Sequence, residues 1–154
     1  DVELARAACC ALWNLSSATD NLVPLVRGAA HTAVMAAARA HAGNVEVARV
    51  ACGVLRNLAA EADNRVPLVR DGAHTVVMAA ARAHAGDVEV ARQSCFALWS
   101  LSATAENGVP LVHAGVRTAV KAAARAHRTD AEVVRAARAV LQNLKGYGEA
   151  CVCV

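Results

Sequence analysis

The sequence predicts an all-α protein built from a repeated helical unit. A six-residue segment occurs four times, as DVELAR, NVEVAR, DVEVAR and DAEVVR, starting at residues 1, 44, 87 and 130, so each copy begins 43 residues after the last. The composition is 56% hydrophobic but only 3% aromatic, and its abundant alanine favours closely packed helices. Periods of roughly 40–47 residues are typical of stacked helical repeats, in which one unit cannot bury its own apolar face.

Each unit is predicted to contain three helices. The first is short, with Asn21 or Asp20 as its cap and Pro24 in its first turn. The second is rich in alanine and is ended by a glycine. The third is the longest. The predicted ranges are 21–26, 64–69 and 107–112 for the short helix, 31–41 for the second, and 2–17, 45–60, 88–103 and 131–145 for the third.

A glycine is expected at the corner between the first and second helices. Gly72 and Gly115 occupy this position in two copies, whereas the first copy has Ala29 there and Gly28 one residue earlier. Because the glycine is displaced by one residue, we expect a slightly different corner in the first copy.

A short helix, a glycine corner, a middle helix and a long inner helix together resemble the armadillo repeat. The likeness is carried by NRVPLVRDGAHTVVMAAARAHAGDVEVARQSCFALWSLSA and covers the whole chain except the tail GYGEACVCV. It implies a right-handed α-solenoid of about three and a half armadillo repeats. The implied division is a partial repeat 1–18, repeats 19–60, 61–103 and 104–145, and a C-terminal tail 146–154. Both ends would expose apolar surface, so we expect further repeats or a partner beyond one or both of them.

Helical periodicity divides the third helix into two faces. In the first copy the predicted core residues are Leu4, Ala5, Ala8, Leu12 and Leu15, and the residues of the opposite face are Glu3, Arg6, Cys10 and Asn14, with Trp13 at its edge. Since stacked helices lie roughly 8–10 Å apart, equivalent residues of the opposite face should form ladders along a concave surface.

The armadillo resemblance implies a peptide-binding role for one of these ladders. In the family an inner-helix asparagine holds the backbone of an extended peptide, and here Asn14, Asn57 and Asn143 occupy that column, with Ser100 in the third copy. Importin-α-like members place a tryptophan one turn earlier. The residues in that column here are Cys10, Gly53, Phe96 and Ala139, so the lysine pockets of a nuclear-import receptor are not expected.

A neighbouring ladder consists of Trp13, Arg56, Trp99 and Gln142. Arg56 is expected to lie between two indole faces and to make cation–π contacts. Two interpretations of the tryptophans remain open. Each either fills the seam between adjacent inner helices or forms part of a partner-binding hot spot, for which Trp and Arg are typical residues.

The Glu and Arg columns also have two interpretations. Glu46 and Arg49 lie three residues apart on one helix, as do Glu89 and Arg92, so they can form local solvated pairs worth a few tenths of a kcal/mol. Alternatively Arg49 and Arg92 contact a partner of mixed charge.

The cysteines and histidines do not form a recognisable chemical site. Cys9, Cys52 and Cys95 form one column whose members should be about 10 Å apart, too far for disulfides, so they are expected to be buried thiols in a reducing compartment, cytoplasmic or nuclear. Cys151 and Cys153 are a lone C-x-C pair, which is weak evidence for a metal. The histidine column of His41, His84 and His127 is expected to interact with the last carbonyls of the second helices. No catalytic constellation, metal or cofactor is predicted.

The sequence thus predicts a non-catalytic module that binds a protein or peptide segment along the concave inner-helix groove. The alternative is a structural segment of a larger assembly, contacting further repeats or subunits through its ends or convex face. Nucleic-acid binding ranks third, because the net charge of +3 is mild and the arginines are dispersed. No apolar run reaches the length of a membrane span.

Overall fold

The computed structural model describes residues 1–148, in which all regular secondary structure is helical. The helices are α1 (Val2–Ser16), α2 (Leu22–Arg27), α3 (Ala30–Ala40), α4 (Val45–Ala60), α5 (Ala62–Arg70), α6 (Ala73–Ala83), α7 (Val88–Ser102), α8 (Gly108–His113), α9 (Val116–Ala126) and α10 (Ala131–Asn143), with 3₁₀ turns at Thr19–Asn21 and Ala105–Asn107. The predicted three-helix unit is therefore present, with most boundaries within two residues of those expected. Within the described residues, no helix combines the length and the apolar character that crossing a bilayer requires.

Equivalent helices of successive units pack against one another. The four long helices α1, α4, α7 and α10, called the inner helices below, contact each other in chain order. The second helices α3, α6 and α9 do the same. One buried cluster runs through all the units, and its largest wholly buried side chains are Leu55, Leu58, Leu68, Leu98, Leu101, Leu111 and Leu144. Burial against a neighbouring unit therefore supplies the core.

Hydrogen bonds between units reinforce this packing. The side chain of Asn64 donates to the carbonyls of Leu58, 3.0 Å away, and of Leu22 in the preceding unit, 2.9 Å away. Asn107 repeats both bonds one unit later. The expectation that Asn21 caps the short helix is wrong, because its amide donates instead to the Leu15 carbonyl at 2.9 Å and α2 has no side-chain cap.

The histidine column also links units rather than only ending helices. His84 and His127 follow α6 and α9 as their C-caps. The Nε2 atom of His84 lies 2.9 Å from the Ala42 carbonyl, and that of His127 lies 2.8 Å from the Ala85 carbonyl. The carbonyl that each ring contacts thus belongs to the preceding unit, not to its own helix as expected.

The corner of the first unit has the same form as the others, contrary to expectation. Ala29 has a φ of 59° and a ψ of 24°, close to the left-handed conformation of Gly72, whose φ is 90° and ψ is 20°. A left-handed residue with a side chain costs roughly 1–2 kcal/mol. Packing of α2 and α3 against their neighbours therefore imposes this corner on a residue that does not favour it.

The core assignment for α1 is only partly right. Leu4 is 70% exposed and Leu15 is 50% exposed, whereas their counterparts Val47 and Leu58 in α4 are fully buried. Ala8 is also exposed, and the remaining predicted core residues of α1 are half-buried. The pattern on the helix is the same in both copies, but α4 is covered by an inner helix on each side and α1 on one side only.

The opposite end of the stack carries charged as well as apolar side chains, with Val134 and Leu141 half-buried there. Lys121 and Arg138 are exposed there, at positions where the preceding unit has Met78 and Cys95, both almost fully buried. Charged side chains therefore replace part of the apolar surface that was expected at this end.

The residues after α10 fold back onto α8. Arg117 donates to the carbonyls of Leu144 and Tyr147. The Tyr147 ring packs so closely on Gly108 that a Cβ there would lie 2.4 Å from it. Tyr147 and Gly148 of the expected tail therefore lie against α8.

The column cysteines are buried free thiols, as expected. Burial raises the pKa of the Cys52 thiol to about 11 and that of Cys95 to about 12, which keeps both protonated at neutral pH. Cys151 and Cys153 lie outside the described residues.

Candidate functional site

The candidate site is the face of the inner helices that carries the predicted ladders, called the inner-helix face below. Asn44, Asp87 and Asp130 each begin an inner helix by accepting a bond from the backbone N–H three residues on. This common start sets the same rotation for α4, α7 and α10. As expected from that register, Leu58 is fully buried while Asn57, next to it, is only half-buried.

The asparagine column is tied into the fold through serines. The Asn57 amide donates to the Ser16 hydroxyl at 3.0 Å, and the Asn143 amide donates to the Ser102 hydroxyl at 3.1 Å. One N–H of each amide is therefore used between units. The side-chain oxygen and the second N–H have no partner within residues 1–148, so they remain available to the backbone of a bound segment.

The other two residues of this column have different surroundings. Asn14 is exposed on α1, and Ser100 is half-buried on α7. Of the four positions, Asn57 and Asn143 therefore share the serine contact, and Asn14 and Ser100 do not.

Trp13 fills the seam between two inner helices. Its indole lies over Gly53 of α4, where an added Cβ would be 2.2 Å from the Cζ3 atom of the ring. Glycine at this position is what admits the ring. The structure thus favours the seam interpretation for Trp13.

Arg56 does not lie between two indoles, so that prediction is wrong. Its guanidinium stacks on Phe96, 4.4 Å from the ring centroid, and donates to the Gln93 side chain at 3.0 Å. Phe96 in turn stacks on Trp99 with the ring centroids 5.8 Å apart. The Gln93 bond draws Arg56 toward the start of α7 and over Phe96 rather than over the indole of Trp99.

Arg135 completes this cluster from the last inner helix. Its guanidinium carbon lies 5.5 Å from the Phe96 centroid and 5.6 Å from the Trp99 centroid. Two aromatic rings are therefore contacted by two cations, in a geometry suited to cation–π attraction. Arg135 lies on the face predicted for the fourth inner helix, in the same column as Arg49 and Arg92, but it was not among the predicted partner-binding residues.

Arg49 and Arg92 connect successive units, a role that the sequence did not suggest. Besides its local partner Glu46, Arg49 forms a two-pronged ion pair with Asp87, through an Nε bond of 3.2 Å and a second, shorter bond. Arg92 pairs with Asp130 through the same two nitrogens, but both donate to a single carboxylate oxygen, Oδ2. These two guanidinium groups are engaged within the fold, which weakens their assignment to a partner-binding site.

These ion pairs lower the pKa of both aspartates. The Arg49 guanidinium, helped by backbone N–H groups of α7, lowers the pKa of Asp87 to about 2. Arg92 lowers the pKa of Asp130 in the same direction.

An open depression of about 500 Å³, called the groove below, lies between α4 and α7. Its lining residues are Arg56, Asn57, Ala60, Arg65, Phe96, Trp99, Ser100 and Ala103. Arg65 enters it from α5. Its guanidinium donates to the last two carbonyls of α4, those of Ala59 and Ala60, at 3.0 Å each. The groove combines aromatic surface, cationic groups, the partly bonded Asn57 amide and the Ser100 hydroxyl, which has no hydrogen-bond partner within residues 1–148.

No protein-family model matches this chain, and no curated protein matches it. The functional interpretation therefore depends on the geometry of the inner-helix face.

Proposed function

We propose that the chain is a right-handed α-solenoid of armadillo type that binds an extended segment of another protein along its inner-helix face, without catalysis. The groove is the observation that supports this most directly. It places the half-buried Asn57 amide and the Ser100 hydroxyl beside the Phe96–Trp99 pair. An amide that can still donate and accept is suited to a peptide backbone, and partly exposed aromatic rings are suited to its side chains.

Selection from a random peptide library displayed on phage tests the proposal without knowledge of the natural partner. We expect peptides enriched on the protein to bind in solution and to lose about tenfold in affinity in the Phe96→Ala and Trp99→Ala variants. The triple variant Asn14→Ala, Asn57→Ala, Asn143→Ala should also bind them more weakly.

The matched control is Arg82→Gln, because Arg82 is exposed on α6, away from the inner helices. Thermal unfolding of every variant separates a loss of binding from a loss of fold. If no peptide is enriched, or if the enriched peptides bind the aromatic variants as tightly as the unmodified protein, the groove is not a binding site.

A second function is favoured by a different observation. The exposure of Leu4 and Leu15 on α1 leaves an apolar face that is suited to contact with a subunit of a larger assembly. In that role the groove would be unoccupied. Chemical crosslinking that captures partners through α1, together with partner loss in a Leu4→Glu, Leu15→Glu variant and retention in Phe96→Ala, would favour this role over the first.

A further inference from the structure

Charge is distributed unevenly over the inner-helix face. The groove is lined by two arginines, Arg56 and Arg65, and by no carboxylate. A third arginine, Arg135, lies over the aromatic rings on the other side. The side of the Phe96–Trp99 pair that faces a bound segment is therefore cationic.

Three carboxylates at the starts of α7 and α10 lie around Arg92 instead. Besides the Asp130 pair, Arg92 has Glu89 at 3.6 Å and Glu132 at 3.4 Å. Glu132 lies three residues before Arg135 and would be its local partner, as Glu46 is for Arg49, but it contacts Arg92. Arg92 is thus surrounded by negative charge, whereas Arg135 has no ion pair within residues 1–148.

Arg56 also lacks a carboxylate partner in the described part of the chain. Its hydrogen bond goes to the neutral side-chain oxygen of Gln93, while Gln93 donates to Glu89 at 2.5 Å. The neutral amide fixes the position of the guanidinium without cancelling its charge. Stacking on Phe96 adds to this positioning, so little side-chain entropy remains to be lost when an anion binds.

From this arrangement we infer that the groove recognises an acidic peptide segment, with Asp or Glu carboxylates contacting Arg56 and Arg135 on either side of the Phe96–Trp99 pair. The inference depends on the proposed peptide-binding function and specifies the chemistry of its partner. A guanidinium can bind a carboxylate through two parallel N–H bonds, and flanking rings reduce its contact with water. Arg65 contributes a third positive charge at the end of the groove near α5.

A single-stranded nucleic acid would also find aromatic rings and arginines in the groove, since bases stack on such platforms. The carboxylates around Arg92 oppose it, because a polyanion running along the inner helices would meet Glu89, Asp130 and Glu132. An acidic peptide can place its few charges at the groove and present neutral residues to that region. The structure thus favours the peptide.

The test compares fluorescein-labelled twins of a peptide of about 12 residues, long enough at roughly 3.3 Å per residue to cross four stacked helices. The peptide is taken from the display selection, and one twin has every Asp and Glu replaced by Asn and Gln. Fluorescence anisotropy should show the acidic form binding at least tenfold more tightly than the amide twin. Raising the salt from 50 to 300 mM should weaken the acidic form several-fold and the twin much less.

A pair of double variants locates the effect. Arg56→Gln, Arg135→Gln should reduce binding of the acidic peptide about tenfold and leave the amide twin within about twofold. Arg82→Gln, Arg125→Gln removes the same total charge from exposed positions on the second helices and should change neither by more than about twofold. The twin comparison and the salt series need no variant, so they remain decisive even if the first double variant unfolds.

The outcomes separate the inference from the proposed function. If peptides are enriched but bind equally well with Asn and Gln in place of Asp and Glu, the acidic specificity is wrong and the peptide-binding function stands. If no peptide is enriched, both are wrong. If labelled oligo(dT) binds more tightly than every acidic peptide and displaces it from the groove, the site is a nucleic-acid site and the inference is overturned.

Discussion

The first inner helix, α1, and the second, α4, carry the same pattern in different surroundings. Leu4 and Leu15 are largely exposed on α1, while Val47 and Leu58 at the same positions of α4 are fully buried. The ion pairs between units differ as well. Arg49 and Arg92 each reach an aspartate of the next unit. Within residues 1–148 Arg6 pairs with Glu3 alone, because the equivalent residue of the next unit is the neutral Asn44.

The difference shows what a repeat position specifies. The sequence of each copy sets which side of a helix is apolar, and the neighbouring copy decides whether that side is covered. The stability of the stack should therefore depend on contacts between units, and mutations at equivalent positions should have unequal effects. The predictions below test that inequality, starting with the largest.

Truncating the equivalent leucines of α1 and α4 should give the largest difference in the free energy of unfolding. Leu58→Ala removes a fully buried side chain and should reduce the free energy of unfolding by about 3–4 kcal/mol. Leu15→Ala removes a side chain that is half exposed and should cost less than about 1 kcal/mol. Urea denaturation measures both, and equal losses would contradict the dependence on neighbouring units.

The junction between α1 and α4 relies on a contact that other junctions do not repeat in the same form. Gly53→Ala places a Cβ inside the Trp13 ring and should cost about 1–2 kcal/mol in spite of the better helix propensity of alanine. In a Trp13→Ala background the same change should become stabilising by up to about 1 kcal/mol. Gly86→Ala is the control, since nothing lies within 4 Å of its added Cβ. A cost for Gly53→Ala that persists without Trp13 would show that the ring is not the cause.

Exchanging alanine and glycine at the corners of the first two units should change the stability in opposite directions. Ala29→Gly relieves a left-handed residue that carries a side chain and should stabilise the protein by about 1 kcal/mol. Gly72→Ala creates the same strain in the second unit and should destabilise it by about the same amount. Differential scanning calorimetry detects both, and a loss of stability in Ala29→Gly would mean that the first corner is not strained.

The Arg49–Asp87 pair should make stability depend on pH in the acid range. The folded pKa of Asp87 is about 2, below its ordinary value near 3.9, so its contribution is complete above about pH 4 and is lost as the pH falls toward 2. Asp87→Asn keeps an oxygen to cap α7, as Asn44 does for α4, but removes the charge. The variant should unfold a few degrees lower at pH 7, and the gap should close by pH 2. A gap that is constant with pH would exclude the ion pair.

The smallest change in stability is expected for a substitution that makes the junction between α1 and α4 resemble the later ones. Asn44→Asp keeps the cap of α4 and gives Arg6 the partner that Arg49 and Arg92 already have. Since an exposed pair contributes little, we expect a rise in Tm of only about 1–3 °C at low salt, which should disappear in about 1 M NaCl. A rise that survives high salt would point to a better cap rather than to the pair.

The candidate site was only partly predictable. The asparagine ladder followed from spacing alone, because a side chain on a regular helix points in a direction fixed by its position. The contacts of Arg56 could not be predicted from the spacing, because a long side chain can reach several neighbours. In the structure Arg56 stacks on the ring of Phe96 and donates to the side-chain oxygen of Gln93, and both residues lie on another helix. Arg65 was missed because its place in the groove depends on which helices meet there, and the contact of Arg135 with the two rings depends on the packing of α10 against α7.

The amino-acid sequence by itself determined the helices, their 43-residue recurrence and the face that each inner helix turns inward. Periodicity, capping residues and glycines act over a few neighbouring residues, so they can be read along the chain. The tertiary structure alone decided that Leu15 is exposed and Leu58 buried, that Arg49 joins units, and that Ala29 adopts a backbone suited to glycine. Each of these depends on contacts between residues about 40 positions apart, whose free energy is set by packing and not by local preference.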